Sequence, residues 1–237
     1  MKSLTYFSLL FFTQFSFAED WLPEFSGLIA GAVNQDDLPY AQVNTQTQPS
    51  ILIFGRLGEV FIEGNRAGYP IKRFPFGTFS AVGQIRTHQY LDADNTSLTN
   101  EDRNRAIEVG PQFTFPISHG YFSQFTLFQD ISGQHEAQEF EAAIYKRFIF
   151  ENFRLITTLA AQYQSKKLMN YYVGTANYQA NGEWTQEIEL LGVYDINKDW
   201  SVTAMWRYYQ HGSDFDRSPL TSKNTTSRIA VGIGRHF

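Results

Sequence analysis

Five histidines are the side chains best suited to acid–base or metal chemistry in this sequence, and they are widely spaced: His88, His119, His135, His211 and His236. No two of them stand at a metal-binding spacing such as HExxH, and the chain has no cysteine that could complete a zinc site. The sequence therefore predicts no metal centre, no cofactor and no thiolate chemistry.

A histidine close to a serine would permit nucleophilic hydrolysis. His88 shares one predicted strand face with Ser80, but their positions in the sequence place them ~26 Å apart along a strand. That distance is too long for a hydrogen-bonded dyad, although a serine from another strand remains open. We expect no enzyme, and we keep a barrel hydrolase that uses His88 as an alternative.

Two pairs of acidic residues could hold a divalent cation or act together as acid and base. Asp36 is adjacent to Asp37, and Asp214 is close to Asp216. Both pairs fall in predicted outer loops. Because polar loops carry carboxylates by default, we interpret both pairs as solvated loop residues.

The first residues predict where the protein resides. Met1-Lys2 is a short positive start, residues 4–17 are mostly apolar, and Ser16-Phe17-Ala18 resembles a cleavage site. This pattern predicts a Sec-type signal peptide over residues 1–18, with cleavage near Ala18, because the apolar run is shorter than the ~20 residues of a spanning helix. The mature chain would comprise residues 19–237.

Composition restricts the class of protein further. No later segment is apolar for long enough to predict a transmembrane helix. The absence of cysteine excludes a disulfide framework. The formal net charge is −5, or −6 once Lys2 is removed, and this acidic balance argues against a nucleic-acid partner. Aromatic residues make up 16% of the chain, which is high for a soluble domain.

Segments of about ten residues alternate apolar and polar side chains, as membrane-spanning β-strands do. Residues 107–117 show the pattern best, with Ile107, Val109, Phe113, Phe115 and Ile117 on one face. Glu108, Gly110, Gln112 and Thr114 occupy the other face, and Pro111 interrupts the strand. Similar alternation recurs over residues 138–149, 184–194, 200–209 and 229–237. We predict that the apolar faces contact lipid and that the polar faces line the interior.

The connections between these segments alternate in length. Residues 118–119, 150–152 and 196–199 form tight turns, whereas residues 91–104, 166–181 and 212–224 are long and polar. Outer-membrane barrels combine short periplasmic turns with long extracellular loops. The sequence predicts an all-β fold, a closed antiparallel transmembrane β-barrel of twelve strands. The alternative is ten strands, if the short segments 60–64 and 69–73 merge into an irregular stretch.

The charged residues of the polar faces form a predicted interior set: Arg86, His88, Glu108, Glu139, Glu141, Glu187, Glu189, Arg207 and Arg228. Charges inside a barrel must pair with each other or meet water. Two interpretations stay open, a structural network that plugs the interior and a narrow selective pore. Twelve strands lie between small filled barrels and open porins, so the size does not decide.

The chain ends in the pattern of a strand that closes a barrel, with apolar residues alternating up to a terminal aromatic: Ile229, Val231, Ile233 and Phe237. Arg235 departs from it, because an aromatic residue would be usual there. Other aromatic residues near predicted strand ends fit an interfacial girdle, with core packing as the alternative: Trp184, Tyr194 and Trp200.

The C-terminal third resembles the MipA/OmpV family of outer-membrane proteins. The resemblance is carried by Asn170-Tyr171-Tyr172-Val173-Gly174, Asp199-Trp200-Ser201-Val202, Arg207-Tyr208, Ser213-Asp214, Ser218-Pro219-Leu220 and Gly232-Ile233-Gly234. Glu63-Gly64 with Gly68-Tyr69 is similar to the family's short strand pair. These are motifs of strands and turns, and none of them is catalytic.

The resemblance implies a non-enzymatic barrel surrounded by outer-membrane lipid in a Gram-negative envelope. It also implies a scaffold that links a murein hydrolase, a lytic transglycosylase, to a bifunctional penicillin-binding protein. No matched residue identifies a partner surface, and fold kinship does not determine function. A small-solute, porin-like channel and a surface adhesin remain the alternatives.

Overall fold

The chain forms a closed barrel of twelve antiparallel strands, as seen in a computed structural model that describes residues 23–41, 45–87 and 103–237. The strands are β1 Phe25–Asp37, β2 Thr45–Leu57, β3 Val60–Glu63, β4 Arg66–Phe74, β5 Gly77–Arg86, β6 Ala106–Pro116, β7 Tyr121–Asp130, β8 Gln138–Ile149, β9 Phe153–Gln164, β10 Glu183–Asp195, β11 Trp200–Gln210 and β12 Thr225–His236. The helices are α1 Lys166–Val173 and α2 Ser213–Arg217. The prediction of twelve strands is confirmed, while the predicted signal peptide and His88 lie outside the described residues.

The alternating pattern determines which side chains face out. In β12, Ile229, Val231 and Ile233 are 48%, 51% and 57% exposed, whereas the intervening Ala230 is fully buried. In β10, Thr185 and Glu187 are buried while Ile188 points outward. The outer surface is therefore apolar, and the interior holds most of the buried polar side chains.

The barrel closes where β1 pairs with β12, with Val33 opposite Val231. The terminal residue extends this seam, because Phe237 and Gly27 exchange two backbone hydrogen bonds of 2.9 and 3.0 Å. The Arg235 guanidinium lies 5.4 Å from the centre of the Phe237 ring, so its aliphatic stem and charge cover an aromatic face. Trp184, Tyr194 and Trp200 are about half exposed and lie at or beside strand ends.

Two long connections that we predicted as loops contain helices. α1 lies between β9 and β10, and α2 between β11 and β12. They share a small core with barrel-rim residues, formed by Ala137, Leu168, Met169, Tyr172, Val173, Ala180 and Phe215. Neither helix is long or apolar enough to cross a membrane, among the residues described. The helices form a cap over the end of the barrel opposite the short turns.

The N-terminal part of the wall departs from the regular pattern. β3 has four residues, and it joins β4 through a turn at Gly64 and Asn65 that faces the same way as the long connections. β2 has thirteen residues, but it pairs with β3 only from Phe54 to Leu57. The wall is therefore lower between β2 and β5 than elsewhere.

Candidate functional site

The barrel interior contains a cavity of about 690 Å³. Most of the predicted interior charges line it: Arg86, Glu139, Glu141, Glu187, Glu189, Arg207 and Arg228. Glu108 is buried beside the cavity, where its carboxylate accepts hydrogen bonds from Gln84 and Arg86. The alternating strands thus bring together charges that are far apart in the sequence.

One ion pair crosses the lumen. Arg66, the first residue of β4, donates two hydrogen bonds of 2.9 and 3.0 Å to the carboxylate of Glu141 on β8. Its guanidinium also lies 4.9 Å from the centre of the Phe128 ring. Sequence reasoning missed Arg66 because the β3–β4 hairpin is too short to display alternation. The sequence signal that could have identified Arg66 was its position next to the Glu63-Gly64 motif.

A second group of charges lies nearer the capped end. The Arg86 guanidinium is 2.9 Å from a carboxylate oxygen of Glu108 and 2.9 Å from one of Glu139. His135 Nε2 lies 3.1 Å from Glu108, and His135 Nδ1 accepts the Ala137 N–H at 3.1 Å. His135, which the sequence did not place, is thus part of this group.

The remaining charges pair between neighbouring strands. Arg207 on β11 lies 3.1 Å from Glu187 and donates to Glu189, both on β10. Arg228 on β12 pairs with Asp36 and also donates to the Thr87 hydroxyl across the lumen at 3.0 Å. The prediction that Asp36 and Asp37 lie in a loop is wrong, because β1 extends through both and turns Asp36 inward.

An apolar layer lies below the ion pairs, on the side of the short turns. It consists of Ala30, Ala32, Leu52, Leu191, Met205 and Ala230, with Phe54 and Ile156 packed against them. On β10 to β12 each of these residues lies closer to the short-turn end than the charged residue of the same strand. The lumen therefore contains an ion pair that spans it from β4 to β8 and, nearer the short turns, an apolar layer supplied by β1, β2 and β9 to β12.

A serine, a histidine and an aspartate meet at the end of the barrel with the short turns. His236 Nε2 lies 2.5 Å from Ser201 Oγ and 3.1 Å from Asp195 Oδ1, while Ser201 also donates to Asp195 at 2.6 Å. Both partners contact the same imidazole nitrogen, whereas a catalytic triad uses the two nitrogens separately. Ser201 is also fully buried. With Arg154, which donates to Asp195 at 2.6 Å, these residues join β9 to β12.

The other candidates for chemistry are held in structural contacts. Ser80 is buried in β5. The backbone N–H of Asn181 donates to Asp214 and lowers the pKa of that carboxyl, and Arg217 pairs with it, while Asp216 is exposed. In the ranges that the structure covers, no three histidine, aspartate or glutamate side chains are arranged to hold a metal ion.

His211 connects α2 to the barrel, and its burial predicts that folding is sensitive to acid. Its ring stacks on Phe215 at 4.0 Å and lies 3.1 Å from the hydroxyls of Thr185 and Thr226. Burial lowers the pKa of His211 to about 3, so the folded protein binds this proton less readily than the unfolded chain. Stability should therefore fall as the pH drops below the ordinary histidine pKa of ~6.5 towards 3.

Thermal unfolding of detergent-folded protein between pH 7 and pH 4, followed by heat-modifiable gel migration, tests this prediction. The variant His211→Gln should lose less stability over this range than the natural protein. Identical pH dependence of the two proteins would show that His211 does not contribute.

Residues 28–237 match the model of a protein family described as MltA-interacting protein MipA. The chain belongs to the MipA family. This match covers nearly the whole barrel, and the resemblance seen in the strand and turn motifs is confirmed.

Two relatives of this MipA-family chain show how far the sequence similarity extends. MltA-interacting protein of Escherichia coli (strain K12) is 24% identical over 147 residues, which cover 58% of this chain and 59% of that protein. The aligned part thus spans less than two thirds of that relative. Outer membrane protein OmpV of Vibrio cholerae serotype O1 is 23% identical over 224 residues, covering 87% of this chain and 84% of that protein.

The fold is also found among solved barrels. The translocator domain of autotransporter NalP from Neisseria meningitidis superposes with a TM-score of 0.50 at 12% sequence identity, covering 90% of this chain and 89% of that domain. At this identity the likeness concerns the fold alone. Together with the family match, it makes this MipA-family protein a barrel of the Gram-negative outer membrane.

Proposed function

We propose that this MipA-family protein is a non-enzymatic scaffold that anchors murein-cleaving and murein-synthesising enzymes at the outer membrane. The observation that carries the proposal is the obstructed lumen, in which the Arg66–Glu141 pair crosses the interior beside a cavity of about 690 Å³ and above an apolar layer. A barrel whose interior is occupied by its own side chains is suited to anchoring. The name of the Escherichia coli relative supports a murein enzyme as one partner.

The end of the barrel with the short turns is the side on which we place the partners. In outer-membrane barrels short turns face the periplasm, where the murein layer lies. These turns comprise residues 58–59, 75–76, 117–120, 150–152 and 196–199. Phe76 and Phe150 are 65% and 58% exposed at this end and offer apolar contact to a partner.

Direct binding tests the scaffold. The folded barrel in lipid nanodiscs should bind a purified lytic transglycosylase, and the double variant Phe76→Ser, Phe150→Ser should bind it more weakly. The matched control is Ile131→Ser, since Ile131 is 61% exposed beyond β7 at the opposite end. Absence of binding to the natural barrel, with the enzyme shown to be active, would contradict the scaffold proposal.

The cavity supports a small-solute channel as a second candidate, because charged and polar side chains line much of it. The two functions differ in ion conductance. For the scaffold we expect no steady single-channel steps from the natural protein in planar bilayers, because the ion pair and the apolar layer obstruct the path. Steady steps of uniform size would favour the channel and contradict an obstructed lumen.

A further inference from the structure

The low wall between β2 and β5 is an opening in the side of the barrel. On the edge of β2 next to β3, no described strand pairs with residues 45–53. On its other edge, β2 pairs with β1 along its whole length. The lower edge of the opening is closed by backbone hydrogen bonds, from Gly64 N–H to Ile53 and from Ile85 N–H to Asn65. We call this opening the notch.

The notch opens towards the end of the barrel with the long connections. The β3–β4 turn at its lower edge lies opposite Ile53, so residues 45–53 of β2 continue above this turn for ~30 Å. On the other side β4 reaches Gln84, and β5 continues above the turn only through Ile85 and Arg86. The missing wall therefore lies beside the outer part of β2.

The interior cavity continues into the notch. Its lining includes Ile51 and Ile85, which point away from the lumen and are 70% and 50% exposed. These two side chains flank the notch on β2 and β5. Behind them the lining turns polar, with Glu63, Arg66 and Gln84. A path thus leads from an apolar rim at the lipid surface to a charged interior.

An unpaired strand edge at membrane depth needs polar partners, since lipid tails offer no hydrogen bonds to backbone groups. Pro49 lies in the stretch of β2 that no described strand pairs on this side, and proline is confined mainly to edge strands. The local sequence is therefore suited to an edge. Polar groups that enter the notch would meet both this edge and the charged side chains.

We propose that the notch is a lateral binding site for a single-chain membrane amphiphile with a zwitterionic head group. The hydrocarbon chain stays in the outer leaflet between Ile51 and Ile85, and the head group enters the cavity beside Arg66 and Glu63. A head group with both charges matches this lining, because guanidinium and carboxylate groups stand side by side there. Glu63 is exposed to the cavity and has no ion pair within the described part of the chain.

Photo-crosslinking with lysophosphatidylcholine that carries a diazirine in its head group tests the site. The full barrel in lipid vesicles should be labelled on inward-facing residues beside the notch, such as Ser50 and Gln84, and unlabelled lysophosphatidylcholine should compete. Labelling confined to outward-facing residues around the barrel would overturn the proposal. It would mean that the probe behaves as ordinary lipid around the barrel, or that another segment of this chain occupies the notch.

The route is tested by matched variants and by a chainless probe. Ile51→Trp should reduce inward labelling several-fold by narrowing the notch. Ile29→Trp should not, because Ile29 also faces lipid but lies in a strand paired on both sides. Equal labelling of both variants would overturn the lateral route. So would equal labelling by glycerophosphocholine with the same diazirine, since that probe can enter only from water.

Discussion

Replacing Arg66 by alanine is expected to destabilise the barrel by about 3 kcal/mol, because it leaves the Glu141 carboxylate without its cross-lumen partner. The Arg66 and Glu141 side chains are 16% and 8% exposed, so water replaces the lost hydrogen bonds only in part. We place the expected loss at the low end of the range for buried pairs because the pair borders the cavity. Urea unfolding of the barrel in lipid vesicles measures it.

A matched control separates this effect from the general loss of an arginine. Arg73 pairs with Glu59 at the periplasmic end, where both side chains are about 60% exposed. Arg73→Ala should therefore cost less than ~1 kcal/mol. The double variant Arg66→Met, Glu141→Leu should recover much of the stability lost in Arg66→Ala, since no charge stays unpaired. Equal losses in Arg66→Ala and Arg73→Ala would show that the cross-lumen pair is not structural.

Replacing Val231 by arginine is expected to cost about 2–4 kcal/mol, the range for a cation at the lipid-facing midplane of an outer-membrane barrel. Val231 is 51% exposed in the middle of β12, and its neighbours Ala230 and Gly232 face the interior. A guanidinium at this position must leave water and enter hydrocarbon. The temperature at which heat-modifiable migration is lost, measured in detergent and in vesicles, should be lower for the variant than for the natural protein.

The control for Val231 uses the same substitution nearer the bilayer surface. Thr225→Arg changes the first residue of the same strand, at its outer end, where a cation costs only ~0–1 kcal/mol. If both variants were equally stable, the outer face of β12 would not contact the hydrocarbon core. The pair therefore tests the direction of the apolar face in the strand that closes the barrel.

Much of the fold could be predicted because side-chain direction in a strand has a period of two residues. That rule placed Ile107 and Val109 outside and Glu108 inside without knowledge of the topology. It also predicted twelve strands, since turns and alternating segments could be counted. Phe237 was recognised as the end of a closing strand for the same reason.

The interior contacts could not be predicted, because period two gives the face of a residue and not its partner across the lumen. Arg66 meets Glu141 from a position 75 residues away in the sequence. The short segments 60–64 and 69–73 were predicted, but the low wall above them was not, because strand length alone does not show how far a neighbouring strand continues beyond a hairpin. α1 and α2 were missed because they are short, and their stability comes from packing with residues such as Phe215 and Ala137.

Folding of the purified polypeptide 19–237 with and without detergent tests the central claim most directly. Because the outer face is apolar and the polar side chains line the interior, we predict heat-modifiable, β-rich protein only when detergent or lipid is present. A monomer that folds stably in plain buffer would place the apolar side chains inside and contradict the account.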